Sequence, residues 1–167
     1  YHAGKFHRAI TAGAAADIRQ ALSRHQQSLQ ALQWNAPSAA QWRGDAGALL
    51  HARRELLRLE RRDASMRVAD AVDSPYQAPA FTQIGREDIE LEAHLACAGA
   101  RRLAAPIFSR SYFVPMQGGL GMEVTDLCVP LLRAGQSDGF LVATLALGRL
   151  LEEAVGAELS RSHEITF

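Results

Sequence analysis

The residues best suited to chemistry lie in three segments that read as β-strands. Ser109-Arg110-Ser111-Tyr112-Phe113 places an arginine and a tyrosine two positions apart, so on a regular strand both point to one face, together with Phe108 and Val114. A guanidinium that shares a face with aromatics and valine is costly without an anion. Either Arg110 grips a ligand carboxylate through two parallel N–H bonds while the Tyr112 hydroxyl donates a further one, or Asp126 or Glu123 on the neighbouring strand neutralises it internally. Asp126 stands inside the otherwise apolar Val124-Thr125-Asp126-Leu127-Cys128-Val129, where a carboxylate needs a partner of its own. Thr144 is the one hydroxyl on the last strand and is either packed or in contact with a ligand. The candidate binding set is Arg110, Tyr112, Asp126, Met122 and Thr144.

Other reactive-looking groups carry less. His94 and Cys97 are three apart on a helical segment, but two residues make half a zinc site with nothing to complete it. Gly118-Gly119-Leu120-Gly121 follows one strand and precedes another, without the Lys-Ser/Thr of a phosphate loop, so it reads as a hairpin turn. No Gly-x-Ser-x-Gly motif and no Cys-His pairing supports acyl transfer. No catalytic residue, metal or cofactor is expected. Cys97 and Cys128 stand alone in apolar surroundings without C-x-x-C spacing, and read as two small buried hydrophobes that leave the compartment open. Ser162-His163-Glu164-Ile165 looks like a histidine-kinase phosphoacceptor box, yet Thr166-Phe167 follows where that box has a basic residue, Thr and Pro, and the match reads as chance.

The elements that must hold these residues come from a balanced composition. Among 167 residues, 18 Lys+Arg face 18 Asp+Glu and 48% are apolar, which suits one globular domain and gives no global field to gather nucleic acid. From Phe6 to Leu32, apolar residues recur at steps of three, four or seven, the stripe of one long amphipathic helix that must bury itself on the domain or on a partner helix. A second helix is predicted from Asp45, as its cap, to Glu55. Leu57-Arg58-Leu59-Glu60-Arg61 alternates with period two, Asp63-Ala64-Ser65 reads as a turn and Met66 to Val72 as the partner strand. A loop over Asp73 to Gly85 leads to a helix from Asp88 to Arg102, with Leu91, Leu95 and Ala98 on one side. Strands are expected over Ile107 to Val114, Met122 to Leu132 and Phe140 to Leu147. A last helix over Arg149 to Leu159 and a strand from Glu164 to Phe167 follow.

That order gives an α+β fold, a five-stranded antiparallel sheet flanked by helices with a long amphipathic helix alongside. The boundaries are 1–35 for the long helix, 36–160 for the core and 161–167 for the start of a further strand or second unit. The start at Tyr1 and the stop within a strand-like stretch suggest a piece of a longer protein.

The order, with Pro106-Ile107-Phe108-Ser109-Arg110-Ser111-Tyr112-Phe113-Val114, then Gly121 to Leu131 with its Val129-Pro130-Leu131, then Gly139 to Leu147, resembles the extracytoplasmic PAS-like sensor domains, also called Cache or PDC domains, of membrane-bound bacterial histidine kinases. The resemblance implies a periplasmic input domain of a two-component sensor kinase, without catalysis of its own, that binds an organic acid or amino acid between the sheet and the Asp73 to Arg102 segment. It implies that Asp126 could take the amine of an amino-acid-like ligand, that the parent protein is membrane-anchored, and that two copies pair through the long helix. Related outputs are chemoreceptors and cyclic-dinucleotide enzymes. A ligand-free dimerisation or protein-partner module is the alternative of a different class.

Overall fold

The computed structural model describes residues 2–33, 37–152 and 156, with side chains along the first helix from residue 15 onward. Helix α1 runs over His2–Leu32. Within the described side chains its stripe of Ile18, Ala21, Leu22, His25, Leu29 and Leu32 is buried or half-buried, while Arg19, Gln20, Arg24, Gln27 and Gln30 are exposed. Of these, Ala21, Leu22, Leu29 and Leu32 pack in the core against the domain's own sheet.

Helix α2 spans Ala39–Ala52 and so begins earlier than the sequence suggests. Its cap is Ser38, not Asp45: the Ser38 hydroxyl accepts from Gln41 N at 3.2 Å and the Gln41 side chain accepts from Ser38 N at 3.2 Å. This reciprocal Ser-x-x-Gln box satisfies two helix-end donors at once. Trp42, Ala46 and Leu50, four residues apart, are its buried face.

Strands β1 (Leu56–Arg62) and β2 (Val68–Asp73) form the expected hairpin. The segment 74–90 carries no strand and one 3-10 turn over Arg86–Asp88. Helix α3 covers Leu91–Leu103, then β3 (Ile107–Phe108), β4 (Tyr112–Pro115), β5 (Gly121–Arg133) and β6 (Gln136–Ala146) complete the sheet. The order is β2-β1-β6-β5-β3, with β4 also on β5, and every pairing is antiparallel. Ala134 and Gly135, at φ of 53° and 80°, make the two-residue β5–β6 turn, the left-handed pair that suits a tight hairpin. Residues 147–152 are helical. The rest of the helix expected to Leu159, and the strand over Glu164 to Phe167 with its Ser162-His163-Glu164-Ile165 motif, lie outside the described residues.

The sheet separates two layers. Against α1 and α2, Leu56, Leu59, Leu127, Val129, Leu141, Ala143 and Leu145 meet Ala21, Leu29, Trp42, Ala46 and Leu50 in the main core. The opposite face carries two smaller apolar clusters. Ala96, Cys97 and Ala100 of α3 pack on Cys128, Phe140 and Val142, and Ala80 of the 74–90 connection packs with Leu57, Val114, Val124 and Ala146.

Two expectations change here. Cys97 and Cys128 are fully buried as predicted, but they are joined in a disulfide that staples α3 to β5. Helix α3 turns its small residues Ala93, Ala96, Cys97 and Ala100 inward and leaves Leu91 and Leu95 exposed. A disulfide brings helix and strand axes close, and only small side chains fit in that gap.

Candidate functional site

On the face covered by α3 and the 74–90 connection, the strip between the two small apolar clusters is polar. Register places Asp126 of β5 beside Thr144 of β6, flanked on their strands by Val124 and Cys128, and by Val142 and Ala146. Glu60 of β1 and Tyr112 of β4 reach the same strip. Glu60, Asp126 and Thr144 are 0% exposed and Arg62 1%, so the polar groups must satisfy one another.

They do so around one imported side chain, Arg86 of the 3-10 turn. Its Nε lies 3.0 Å from Glu60 Oε2 and its Nη2 3.2 Å from Asp126 Oδ2. Arg86 Nη1 donates to the Tyr112 hydroxyl at 2.9 Å and to the Ile89 carbonyl at 3.2 Å, and its guanidinium stacks over Phe81 at 4.4 Å. The Tyr112 hydroxyl donates to Asp126 Oδ2 at 2.6 Å, and Thr144 Oγ1 donates to Asp126 Oδ1 at 2.6 Å. Glu60 in turn holds Arg58 and Arg62 at 2.8 Å each, and Arg62 reaches Glu90 at 2.6 Å.

The electrostatics follow from burial and these neighbours. Burial pushes the Glu60 carboxyl up, but Arg86, Arg62 and Arg58 outweigh it and hold it below the ordinary carboxylate range. Burial and then Asp126 push the Tyr112 hydroxyl far above the usual phenol range, so it stays a donor. Burial alone lowers an arginine, yet Asp126 and Glu60 raise Arg86 further still. The result is a closed, mixed-charge cluster with cations and anions on one sheet face.

Of the residues singled out in the sequence, Tyr112, Asp126 and Thr144 meet in this cluster, and Met122 packs with Tyr112 in the apolar patch beside it. Arg110 does not join them. It is exposed, in a break between β3 and β4, and its side chain has no ion pair among the described residues. Phe108 opposes Leu127 and Tyr112 opposes Val124, so three residues of one strand face two of the other. That extra residue is a bulge, and it reverses the facing of everything beyond it. Phe108 therefore points to the α1 side and Tyr112 to the α3 side, against the expectation of one shared face. Ser109 pins the bulge: its Oγ accepts from Asp126 N at 2.9 Å and its carbonyl accepts from Thr125 Oγ1 at 2.9 Å.

The cation of the cluster, Arg86, and its second anion, Glu60, escaped the sequence reading. The available signal was Arg58-x-Glu60-x-Arg62, two arginines flanking a glutamate on one strand face. Cys97 sits in the disulfide and His94 pairs with Glu90 at 3.3 Å; among the described residues no group of three or more His, Cys, Asp or Glu is placed to hold a metal. A groove of about 320 Å³ lies on the α1 side of the sheet, lined by Ile18, Leu22, Phe108, Thr125 and Leu150 among others. It is mainly apolar and lacks the paired charges of the buried cluster.

No family model matches the sequence, and no curated protein is significantly similar to it. Solved structures are. The ligand-binding domain of the Pseudomonas aeruginosa amino-acid chemoreceptor PctC in complex with GABA superposes with a TM-score of 0.57 at 16% identity, over 89% of this chain and 61% of that one. The ligand-binding domain of the Pseudomonas fluorescens chemoreceptor CtaA with L-isoleucine gives 0.55 at 18% identity, over 82% and 53%. That of the Campylobacter jejuni chemoreceptor Tlp3 with L-valine gives 0.55 at 14%, over 90% and 64%. The chain thus spans between half and two thirds of the chains it resembles. The likeness is one of fold: a PAS-like antiparallel sheet flanked by helices with a long N-terminal helix, as in Cache/PDC-type sensor domains.

Proposed function

We propose that the chain is the ligand-sensing input domain of a membrane-anchored bacterial signalling protein, and that it binds a small solute, an organic acid or amino acid, on the sheet face beneath the 74–90 connection. The carrying observation is the convergence of Tyr112, Asp126 and Thr144 with Arg86 and Glu60 in one buried strip. Groups of both charge signs, held by rigid strands and covered by a segment without regular structure, are what a pocket for a small charged solute requires. Ligand-binding domains of this fold hold GABA, L-isoleucine and L-valine.

A periplasmic location is part of this reading. The Cys97–Cys128 disulfide supports it, because such bonds persist in oxidising compartments and are rare in the cytosol. Among the described residues no helix is long and apolar enough to cross a membrane. The output we propose is a two-component histidine kinase; a chemoreceptor is the second reading, favoured by the solved neighbours. Since Ala21, Leu22, Leu29 and Leu32 are taken up by the domain's own core, homodimerisation through α1 falls on the rest of the helix.

A thermal-shift screen of the folded domain against amino acids, GABA and organic acids tests the reading. A solute at about 100 times its Kd adds about 2.7 kcal/mol of stability, and this gain should vanish in Asp126→Asn. A flat screen would instead assign the domain to ligand-free dimerisation or protein partnering, the reading that the internal neutralisation of Asp126 by Arg86 favours.

A further inference from the structure

Arg86 places its guanidinium between two buried carboxylates, Glu60 and Asp126. Its guanidinium is 6% exposed, touches two carboxylates and a tyrosine from three different strands, and rests on the Phe81 ring. Yet it is carried by a segment that otherwise has no regular structure between Asp73 and Leu91. The apolar anchors of that segment are Ala80, Phe81 and Ile89, and Arg86 holds two of them, stacking on Phe81 and donating to the Ile89 carbonyl. If Arg86 leaves, those contacts leave with it.

The charge consequences of its leaving are unequal. Glu60 keeps Arg58 and Arg62, each at 2.8 Å. Asp126 keeps two neutral hydroxyls, from Tyr112 and Thr144, and no cation among the described residues. A buried carboxylate without a counter-charge is strongly unfavourable, so the connection cannot open on its own at low cost. It can open when another positive group arrives. We propose that Arg86 is a tethered counter-ion which a solute's ammonium or guanidinium group displaces at Asp126, so that binding and release of the 74–90 connection are one exchange.

This rests on the reading that the domain senses a solute at this cluster, and it narrows the solute to one with a cationic group. A solute that carries carboxylates alone would meet Glu60 and Asp126 with nothing to displace Arg86. The exchange gives differential affinity for two arrangements of the domain, which is what any ligand needs in order to shift an equilibrium. The released segment leads directly into α3, which the disulfide at Cys97, in the middle of the helix, fixes to β5.

Hydrogen exchange of the whole chain, read peptide by peptide, tests this with methylguanidinium chloride as the probe and potassium chloride and sodium acetate at equal ionic strength as controls. In Arg86→Gln, exchange over 78–90 should rise about tenfold or more while the β5 and β6 amides keep their protection, as expected for a local opening. Methylguanidinium supplies the counter-charge but not the tether, so in that variant it should raise stability while exchange over 78–90 stays fast, and in Arg86→Gln/Asp126→Asn it should add no stability. In the wild-type chain the same probe should speed exchange over 78–90 by competing Arg86 out, which keeps the test available even where the glutamine variant does not fold. Acceleration spread evenly over the sheet would make Arg86 a fold strut and overturn the proposal. So would unchanged exchange, or an equal effect of the two control salts. A solute hit in the screen that leaves exchange over 78–90 unaltered keeps the sensing reading and overturns the exchange of cations. A flat screen with the methylguanidinium effects present removes sensing and supports Arg86 as a displaceable counter-ion.

Discussion

Thr144 Oγ1 donates to Asp126 Oδ1 at 2.6 Å between register partners on the two central strands, with both residues fully buried. The other carboxylate oxygen is taken by Tyr112 and Arg86, so the hydroxyl completes the solvation of a charge that water does not reach. Thr144→Val keeps the shape and removes the donor. It should cost about 1–3 kcal/mol in chemical denaturation, the penalty of leaving a buried acceptor unmet, while Thr144→Ser should recover most of the loss. Equal stability of the valine variant and the wild type would show that Asp126 does not depend on this bond.

The acid side of the stability curve should belong to Glu60. Its carboxyl is held below its ordinary 4.5 by Arg86, Arg62 and Arg58 despite burial. Between its folded value and 4.5 the unfolded chain binds more protons, so stability rises with pH across that window, is complete above it and is lost as pH falls through the folded value. Glu60→Gln should therefore be markedly less stable than wild type near neutrality, and the gap should narrow below about pH 4. Denaturation midpoints measured from pH 3 to 7 check this; a gap of constant size would assign the acid limb to other carboxylates.

How much of this could be read beforehand depends on whether the partners are close in sequence or in phase. The β5–β6 pair was legible because strands of thirteen and eleven residues, each with a long and mainly apolar run, outweigh any local ambiguity, and Asp126 and Thr144 were conspicuous as polar interruptions in those runs. The Ser109–Ser111 bulge was not legible, because serine suits both a regular strand and a bulge that its own hydroxyl stabilises. One unseen residue of slip then sent Arg110 to solvent. The alternation of Leu57-Arg58-Leu59-Glu60-Arg61 identified a charged face, but alternation cannot say whether that face meets water. Here the 74–90 connection covers it, and Arg86, 26 residues from Glu60, arrives from a segment with no periodicity to announce it. The disulfide was hidden for the same reason: Cys97 and Cys128 lie 31 residues apart, and only the packing of α3 on β5 brings them together.

That disulfide makes a prediction about stability. Closing a loop of this length restricts the unfolded chain by about 3–4 kcal/mol in the chain-entropy description. Because both cysteines are 0% exposed, a reductant reaches them only through opening of the α3 layer. The Cys97→Ala/Cys128→Ala variant should lose stability of that order, and dithiothreitol added to the native wild type should react slowly, at a rate that rises steeply with denaturant. Rapid reduction of the native protein without added denaturant would show that α3 lifts from the sheet far more easily than its packing implies.

Gly139 tests the contact between β6 and β1 at the edge of the same charged face. It has φ of +115°, and a Cβ built there would lie 2.3 Å from the carbonyl oxygen of Arg62, the last residue of β1, whose guanidinium joins Glu60 and Glu90. Two penalties then add for Gly139→Ala: a backbone conformation that L-residues avoid, about 1–3 kcal/mol by itself, and a steric contact with backbone that no side-chain rotation relieves. Relief must come from moving the β1 end, which carries Arg62 away from Glu60. Gly139→Ala should therefore lower stability more than Gly118→Ala or Gly119→Ala, which have φ of +99° and +86° with open space around the added atom. It should also speed hydrogen exchange at the β1 end near Arg62, whereas the two turn variants should show the backbone penalty alone. If all three substitutions cost the same, the close approach of Arg62 to β6 contributes nothing, and the charged strip is held by its ion pairs rather than by the strands beneath it.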